Sequence, residues 1–168
     1  WTQIYGAYDY VGTEISGKML GILGFGRIGA AVAKRAKAFG MNIIYHNRHR
    51  LSKNTEKSLG VKYVTFDQLF KKSDIVSIHV PYTKETHELV DIRLFKKMKK
   101  TSFIINTARG KIIKENDLVY ALKKKIIAGA ALDVFRNEPI GLNNPLTKMQ
   151  NVVLTPHIGS STAETRKK

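Results

Sequence analysis

The stretch LGILGFGRIGAAVAKRAKAFGMNIIYHNRHR, residues 20–50, decides how the rest of the chain is read. Gly24, Gly26 and Gly29 stand in a G-x-G-x-x-G spacing, with Phe25, Arg27 and Ile28 between them. Ahead of them, residues 19–23 form a short apolar run of strand type. Behind them, Ala30, Ala31, Val32 and Ala33 open a helical pattern. In that setting the first glycine permits a tight turn, and the second lets backbone N–H groups approach a pyrophosphate. The third lets the helix pack close to the strand. A helix N-terminus adds positive field where phosphates would lie. The stretch predicts a dinucleotide-binding strand–turn–helix.

Its far end carries the cofactor preference. Roughly twenty residues past the glycines, an Asp or Glu normally bonds both hydroxyls of the ribose of NAD. Here the end of the second strand reads Tyr45, His46, Asn47, Arg48, His49, Arg50, with no acid and two arginines. A carboxylate would repel a 2′-phosphate, whereas guanidinium groups pair with one, often at two points. With Asn47 in place of the acid, and Arg48 and Arg50 as the phosphate partners, the chain leans to NADP(H) over NAD(H).

The rhythm of the opening stretch continues. Apolar runs at residues 19–23, 42–45, 61–63, 75–80, 103–106, 128–134 and 152–154 alternate with helical patterns at 27–39, 65–71, 91–97 and 114–123. Continuous apolar runs with β-branched residues suit strands buried on both faces. Thr65 followed by Gln68 predicts a capping box, and Gly40 a helix C-terminus. The prediction is an α/β protein with a doubly wound parallel sheet of Rossmann type. Residues 1–16 show no period and read as a lead-in. Residues 160–168 read as the start of a helix capped by Ser161 or Thr162, as in a piece of a larger protein.

Composition bounds the rest. At 168 residues with 43% hydrophobic content, one domain with a real core is expected. Cysteine is absent, so there is neither a disulfide framework nor a thiolate metal site, and no metal is predicted. No apolar run is long enough to cross a membrane, and a cytoplasmic location is expected. The net charge of +16 could signal nucleic acid. Its distribution argues against that. Lys96, Lys97, Lys99, Lys100 and the run Lys123 to Lys125 fall at expected helix ends, where cations suit the dipole, and no aromatic-rich basic motif accompanies them.

Three later motifs, each behind an apolar run, carry chemistry. They are Asn106-Thr107-Ala108-Arg109-Gly110, then Asp133-Val134-Phe135-Arg136-Asn137-Glu138-Pro139, then Leu154-Thr155-Pro156-His157-Ile158-Gly159-Ser160. Hydride reduction of a carbonyl leaves negative charge growing on oxygen. A proton donor with a pKa near working pH lowers that barrier. Histidine serves, and a carboxylate beside such a group favours the protonated form. A guanidinium matches a planar carboxylate with two parallel hydrogen bonds.

In this order, together with the glycine loop, the motifs resemble the D-isomer-specific 2-hydroxyacid dehydrogenases, and within them the glyoxylate/hydroxypyruvate reductase group. The resemblance spans roughly residues 12–166. It implies that Arg109 holds the substrate carboxylate, Glu138 pairs with the catalytic His157, and Asp133 lies near the nicotinamide carboxamide. It further implies that Val80, Pro81, Thr107 and Ala108, with His79, line the cofactor cleft, and that His157 and Gly159 also border the cofactor. Asn47 stands where NAD-preferring members commonly carry Asp. The family folds as two domains, so the chain is expected to be the cofactor domain alone, active only poorly without its substrate domain and paired as a homodimer. Two other classes stand beside this reading. One is a dinucleotide-sensing module or corepressor of the same fold, which also keeps Arg109, Glu138 and His157. The other is a nucleic-acid-binding protein, argued from charge alone.

Overall fold

A computed structural model describes residues 12–167; of the predicted lead-in, residues 1–11 lie outside the described residues, and residues 12–16 form neither helix nor strand. Among the described residues, β1 (Met19–Leu23), β2 (Asn42–His46), β3 (Lys62–Tyr63), β4 (Ile75–Ile78), β5 (Phe103–Asn106), β6 (Gly129–Leu132) and β7 (Val152–Leu154) form one parallel sheet in the order 3-2-1-4-5-6-7. Helices α1 (Arg27–Ala38), α2 (Lys53–Leu59), α3 (Phe66–Lys72), α4 (Ile92–Phe95), α5 (Glu115–Lys123) and α6 (Ala163–Arg166) connect or follow the strands. The predicted doubly wound sheet is the observed one.

The period-2 geometry of strands divides the core. Leu20 and Ile22 of β1, with Ile43 and Tyr45 of β2, point to the face covered by α1 and pack with Ala33 and Ala36. Leu23 and Ile44 point the other way, into a larger cluster with Leu69 and Phe70 of α3, Leu94 and Phe95 of α4, and Leu118 of α5. Ile22, Val76, Ile78 and Ile104 are fully buried, each contributing about 1.5–3 kcal/mol of hydrophobic stabilisation. Gly21 faces α3, where a side chain would run into Ser73 and Leu69.

Local differences from the sequence reading have physical causes. Helix α2 was not expected between β2 and β3, because its sole buried side chain is Glu56 and no apolar stripe marks it. Its signals are the ends: Ser52 accepts from the Thr55 N–H, and Gly60 stops the helix at φ +61°. Strands β4 and β6 are shorter than their apolar runs because His79 to Pro81 and Asp133 to Phe135 leave the sheet. Thr65 accepts from the Gln68 N–H at 3.3 Å, but the return bond from the Gln68 side chain is not formed, so only half of the predicted box exists. Two of the lysines after the single turn of α4 meet acids: Lys97 pairs with Asp67, and Lys99 with Asp74 at 2.7 Å. Thr162 rather than Ser161 caps α6.

Candidate active site

The sheet register places the chemistry. His46, Leu23, Ile78, Asn106, Leu132 and Leu154 are partners in one row across β2, β1, β4, β5, β6 and β7. The residues that follow them, namely Asn47, Gly24, His79, Thr107, Asp133 and Thr155, therefore leave the sheet side by side along its carboxyl edge. All four predicted motifs converge there, as ligand sites do in open α/β sheets.

At the glycine loop, Gly24 has φ +95°, and a β-carbon there would sit 2.7 Å from the backbone of His79 and Val80. A β-carbon on Gly29 would collide with the Gly24 carbonyl. Gly26 has open space where its β-carbon would be. It caps the twelve-residue α1 with no side-chain acceptor and no acid in the first turn. The first helical N–H groups, including those of Arg27 and Ile28, thus lack a side-chain acceptor beside an open cradle. The donor set fits a pyrophosphate.

Beyond it, a cleft of about 680 Å³ is lined by Ile28, Val80, Pro81, Thr107, Ala108 and Arg109, among others. His79 belongs to the same wall; burial pushes its imidazole below the ordinary range, and its Nε2 lies 2.8 Å from Ser77 Oγ. The Asn106 side chain shapes the turn that presents Arg109. Its Oδ1 accepts from the Ala108 N–H and its Nδ2 donates to the Arg109 carbonyl, both at 3.0 Å. A side chain at Gly110 would strike the Phe135 backbone, so the β5 and β6 loops touch.

Glu138 and His157 meet as predicted. His157 Nδ1 lies 2.7 Å from Glu138 Oε2, while Glu138 Oε1 accepts from the Phe135 N–H at 3.0 Å. Burial alone would raise the Glu138 carboxyl. The bonds from His157 and Phe135, with the charges of His157 and Arg109, outweigh it and hold the carboxyl below the usual range. An ionised carboxylate only accepts, so Nδ1 carries a proton and Nε2 is the ring nitrogen left for a ligand. Neither residue lines the cleft directly; Glu138 borders it through Phe135, which does, and His157 stands behind Glu138.

Asp133 has a use that the sequence did not reveal. Its Oδ1 accepts from Thr155 Oγ1 at 2.5 Å and from the Ile158 N–H at 2.9 Å, and its Oδ2 accepts from the Gly159 N–H at 2.8 Å. The side chain is buried and spends its acceptors on the loop that carries His157 in a left-handed conformation, φ +54°. Desolvation opposes ionisation, but these three bonds and the nearby His157 prevail, and the carboxyl stays below its ordinary range.

The adenosine end differs from expectation at one residue. Asn47 Oδ1 accepts from the Phe25 N–H at 2.5 Å, tying the end of β2 to the glycine loop. Arg48 is exposed and its side chain makes no hydrogen bond or ion pair among the described residues. Arg50, expected beside a phosphate, instead gives both arms of its guanidinium to Glu56, with Nε–Oε1 at 2.8 Å and Nη2–Oε2 at 2.7 Å. It also lies 5.2 Å from the centre of the Tyr63 ring.

Residues 2–159 match the family described as D-isomer specific 2-hydroxyacid dehydrogenase, NAD binding domain. The chain belongs to that family. It is 52% identical over 157 residues to a glyoxylate reductase of Thermococcus litoralis, covering 94% of this chain and 47% of that protein. Among solved structures, a glyoxylate reductase from Paecilomyes thermophila superposes with a TM-score of 0.84 at 46% identity, over 94% of this chain and 47% of that one. The NAD-complexed D-isomer specific 2-hydroxyacid dehydrogenase of Lactobacillus delbrueckii gives 0.82 at 32% identity, over 92% and 50%. The chain thus spans about half the length of the relatives it matches. No helix among the described residues is long and apolar enough to cross a membrane, and no group of three or more metal-type ligands occurs among them.

Proposed function

We propose that this chain is the cofactor domain of a 2-keto acid reductase of the glyoxylate reductase type, favouring NADP(H), and that it pairs as a homodimer. The single observation that carries the reading is the Glu138–His157 bond at 2.7 Å on the same sheet edge as Arg109 and the glycine cradle. When bound, the reduced nicotinamide supplies hydride to the carbonyl carbon. The Arg109 guanidinium pairs with the carboxylate of a 2-keto acid and draws charge toward the keto oxygen. His157, oriented by Glu138 through Nδ1, donates a proton from Nε2 to that oxygen as it becomes an alkoxide. Asp133 fixes the loop that aims the ring. The open Gly26 cradle and the N-terminus of α1 take the pyrophosphate.

The relatives named glyoxylate reductase support this reading over a dinucleotide sensor, in which the same residues would bind nucleotide without turnover. The discriminating experiment follows NADPH oxidation with glyoxylate and hydroxypyruvate by the full polypeptide that contains this chain. His157→Gln should lower kcat by about 10²–10⁴-fold, the usual worth of a positioned acid, with nucleotide binding unchanged. Nucleotide binding without turnover in the parent polypeptide would favour the sensor.

A further inference from the structure

The network that holds Arg50 continues to the glycine loop. Glu56 is 8% exposed and is the buried residue of α2. Besides both arms of Arg50, it accepts from the Tyr45 hydroxyl at 2.7 Å. That hydroxyl in turn accepts from the Leu51 N–H at 3.0 Å. The fully buried Tyr45 ring packs 4.8 Å from Phe25 of the glycine loop, and Tyr63 closes the set at 5.6 Å. The loop of residues 47–52 is thus tied at both ends, by Asn47 to Phe25 and by Arg50 and Leu51 to the Glu56–Tyr45 pair. Between the ties stand Arg48 and His49, both exposed.

We propose that Glu56 is a positioning residue for cofactor selection: through Arg50 and Tyr45 it holds the loop in the shape that presents Arg48 to a 2′-phosphate, and Arg50 is the tie rather than a phosphate ligand. The proposal rests on the NADP(H) reading above. The carboxylate bonded by Arg50 and Tyr45 is held far down, at about 2, and the Tyr45 phenol is pushed up to about 12 by burial and by Glu56, so the network keeps its charges across the working pH range. An untied loop would have to be ordered when Arg48 engages a phosphate, and fixing even one residue costs enough to lower affinity by about tenfold. NADH, which lacks the 2′-phosphate, does not draw on that ordering.

The test titrates NADPH and NADH against the parent chain, E56Q and R50K at fixed salt, following nucleotide fluorescence. Glutamine can still accept from Tyr45, but its amide N–H groups face the second arm of Arg50, so the two-point tie is lost. Lysine keeps a cation within reach of a phosphate but makes no two-point bond to Glu56. Both variants should bind NADPH about tenfold more weakly and NADH within about twofold of the parent. A merely structural defect would weaken both nucleotides alike and overturn the proposal. If Arg50 is itself the phosphate ligand, E56Q frees it and NADPH binding holds or tightens, while R50K retains most of it; either result overturns the proposal alone. Should E56Q fail to fold, R50K decides, since Arg50 is half exposed. Equal affinity of the parent for the two nucleotides would refute the NADP(H) reading itself, and the proposal with it.

Discussion

Replacing Glu138 separates the charge of the carboxylate from its hydrogen bonds. In Glu138→Gln the side-chain oxygen can still accept from Phe135 or His157, but it accepts as a neutral group. A hydrogen bond to a charged partner is worth about 1.5–3 kcal/mol and a neutral one about 0.5–1.5 kcal/mol, leaving a difference of about 1–1.5 kcal/mol. The side chains of His157 and Glu138 are 46% and 36% exposed, so solvent screening selects the lower end. Turnover of the full polypeptide should therefore fall roughly fivefold. Glu138→Ala also strips the acceptor from the Phe135 N–H and frees the ring, and the loss should reach about 10²-fold. Urea unfolding of this chain supplies the pH check. Because the Glu138 carboxyl is held below its ordinary value, its charge stabilises the fold above the ordinary carboxylate range. That contribution is lost as pH falls through the lowered value. The stability gap between parent and Glu138→Gln should be fullest above the ordinary carboxylate range and close as pH falls through the lowered value. Equal turnover losses in the two variants, or a gap that does not change with pH, would refute the reasoning.

Asp133→Asn should be the more damaging change to the fold. Its amide N–H groups would face the Gly159 N–H, an unsatisfied donor costing about 1–3 kcal/mol, so Tm should drop by roughly 2–10 °C in calorimetry with turnover lowered through His157. Asn47→Asp should keep the bond from Phe25 yet place a carboxylate where a 2′-phosphate would lie, shifting preference toward NADH by about tenfold in fluorescence titration. Arg48→Ala should weaken NADPH and spare NADH in the same assay. For the proposed dimer, sedimentation at moderate salt should give a concentration-dependent dimer, the net charge of +16 making association stronger as salt rises; monomer alone would contradict it.

The parts of the fold that rest on buried apolar runs were legible, because a strand covered on both faces takes Ile, Val, Leu or Ala at most positions. Ile22, Val76 and Ile104 are such positions. The site was legible for a related reason. A parallel sheet aligns its strand ends, so a chemical residue just past each apolar run must share one edge with the others, as Arg109 and Asp133 do. What stayed hidden depended on pairings with no periodic mark. Helix α2 buries a glutamate rather than a stripe, and that glutamate meets Arg50 six residues upstream, across a turn. From sequence alone Arg50 is a free cation, and only the folded loop shows its charge already matched. The shortened β4 and β6 carry no periodic mark either: Val80 past the first and Phe135 past the second line the cleft, so hydrophobicity continues after the ladder stops.

The two acids of the Asp133–Pro139 motif, Asp133 and Glu138, show how environment divides labour between similar groups. Both carboxyls are held below the ordinary range, and in both, desolvation pulls the other way. Asp133 is 5% exposed and surrounded by three protein donors, so its charge is consumed internally and holds a loop. Glu138 has one backbone donor and one imidazole, with its side chain open to solvent by about a third. A charge consumed by backbone N–H groups costs too much to disturb during a reaction, whereas a charge shared with a half-exposed imidazole can respond to a proton leaving Nε2. The first acid therefore sets where His157 stands, and the second sets what its ring nitrogens can do.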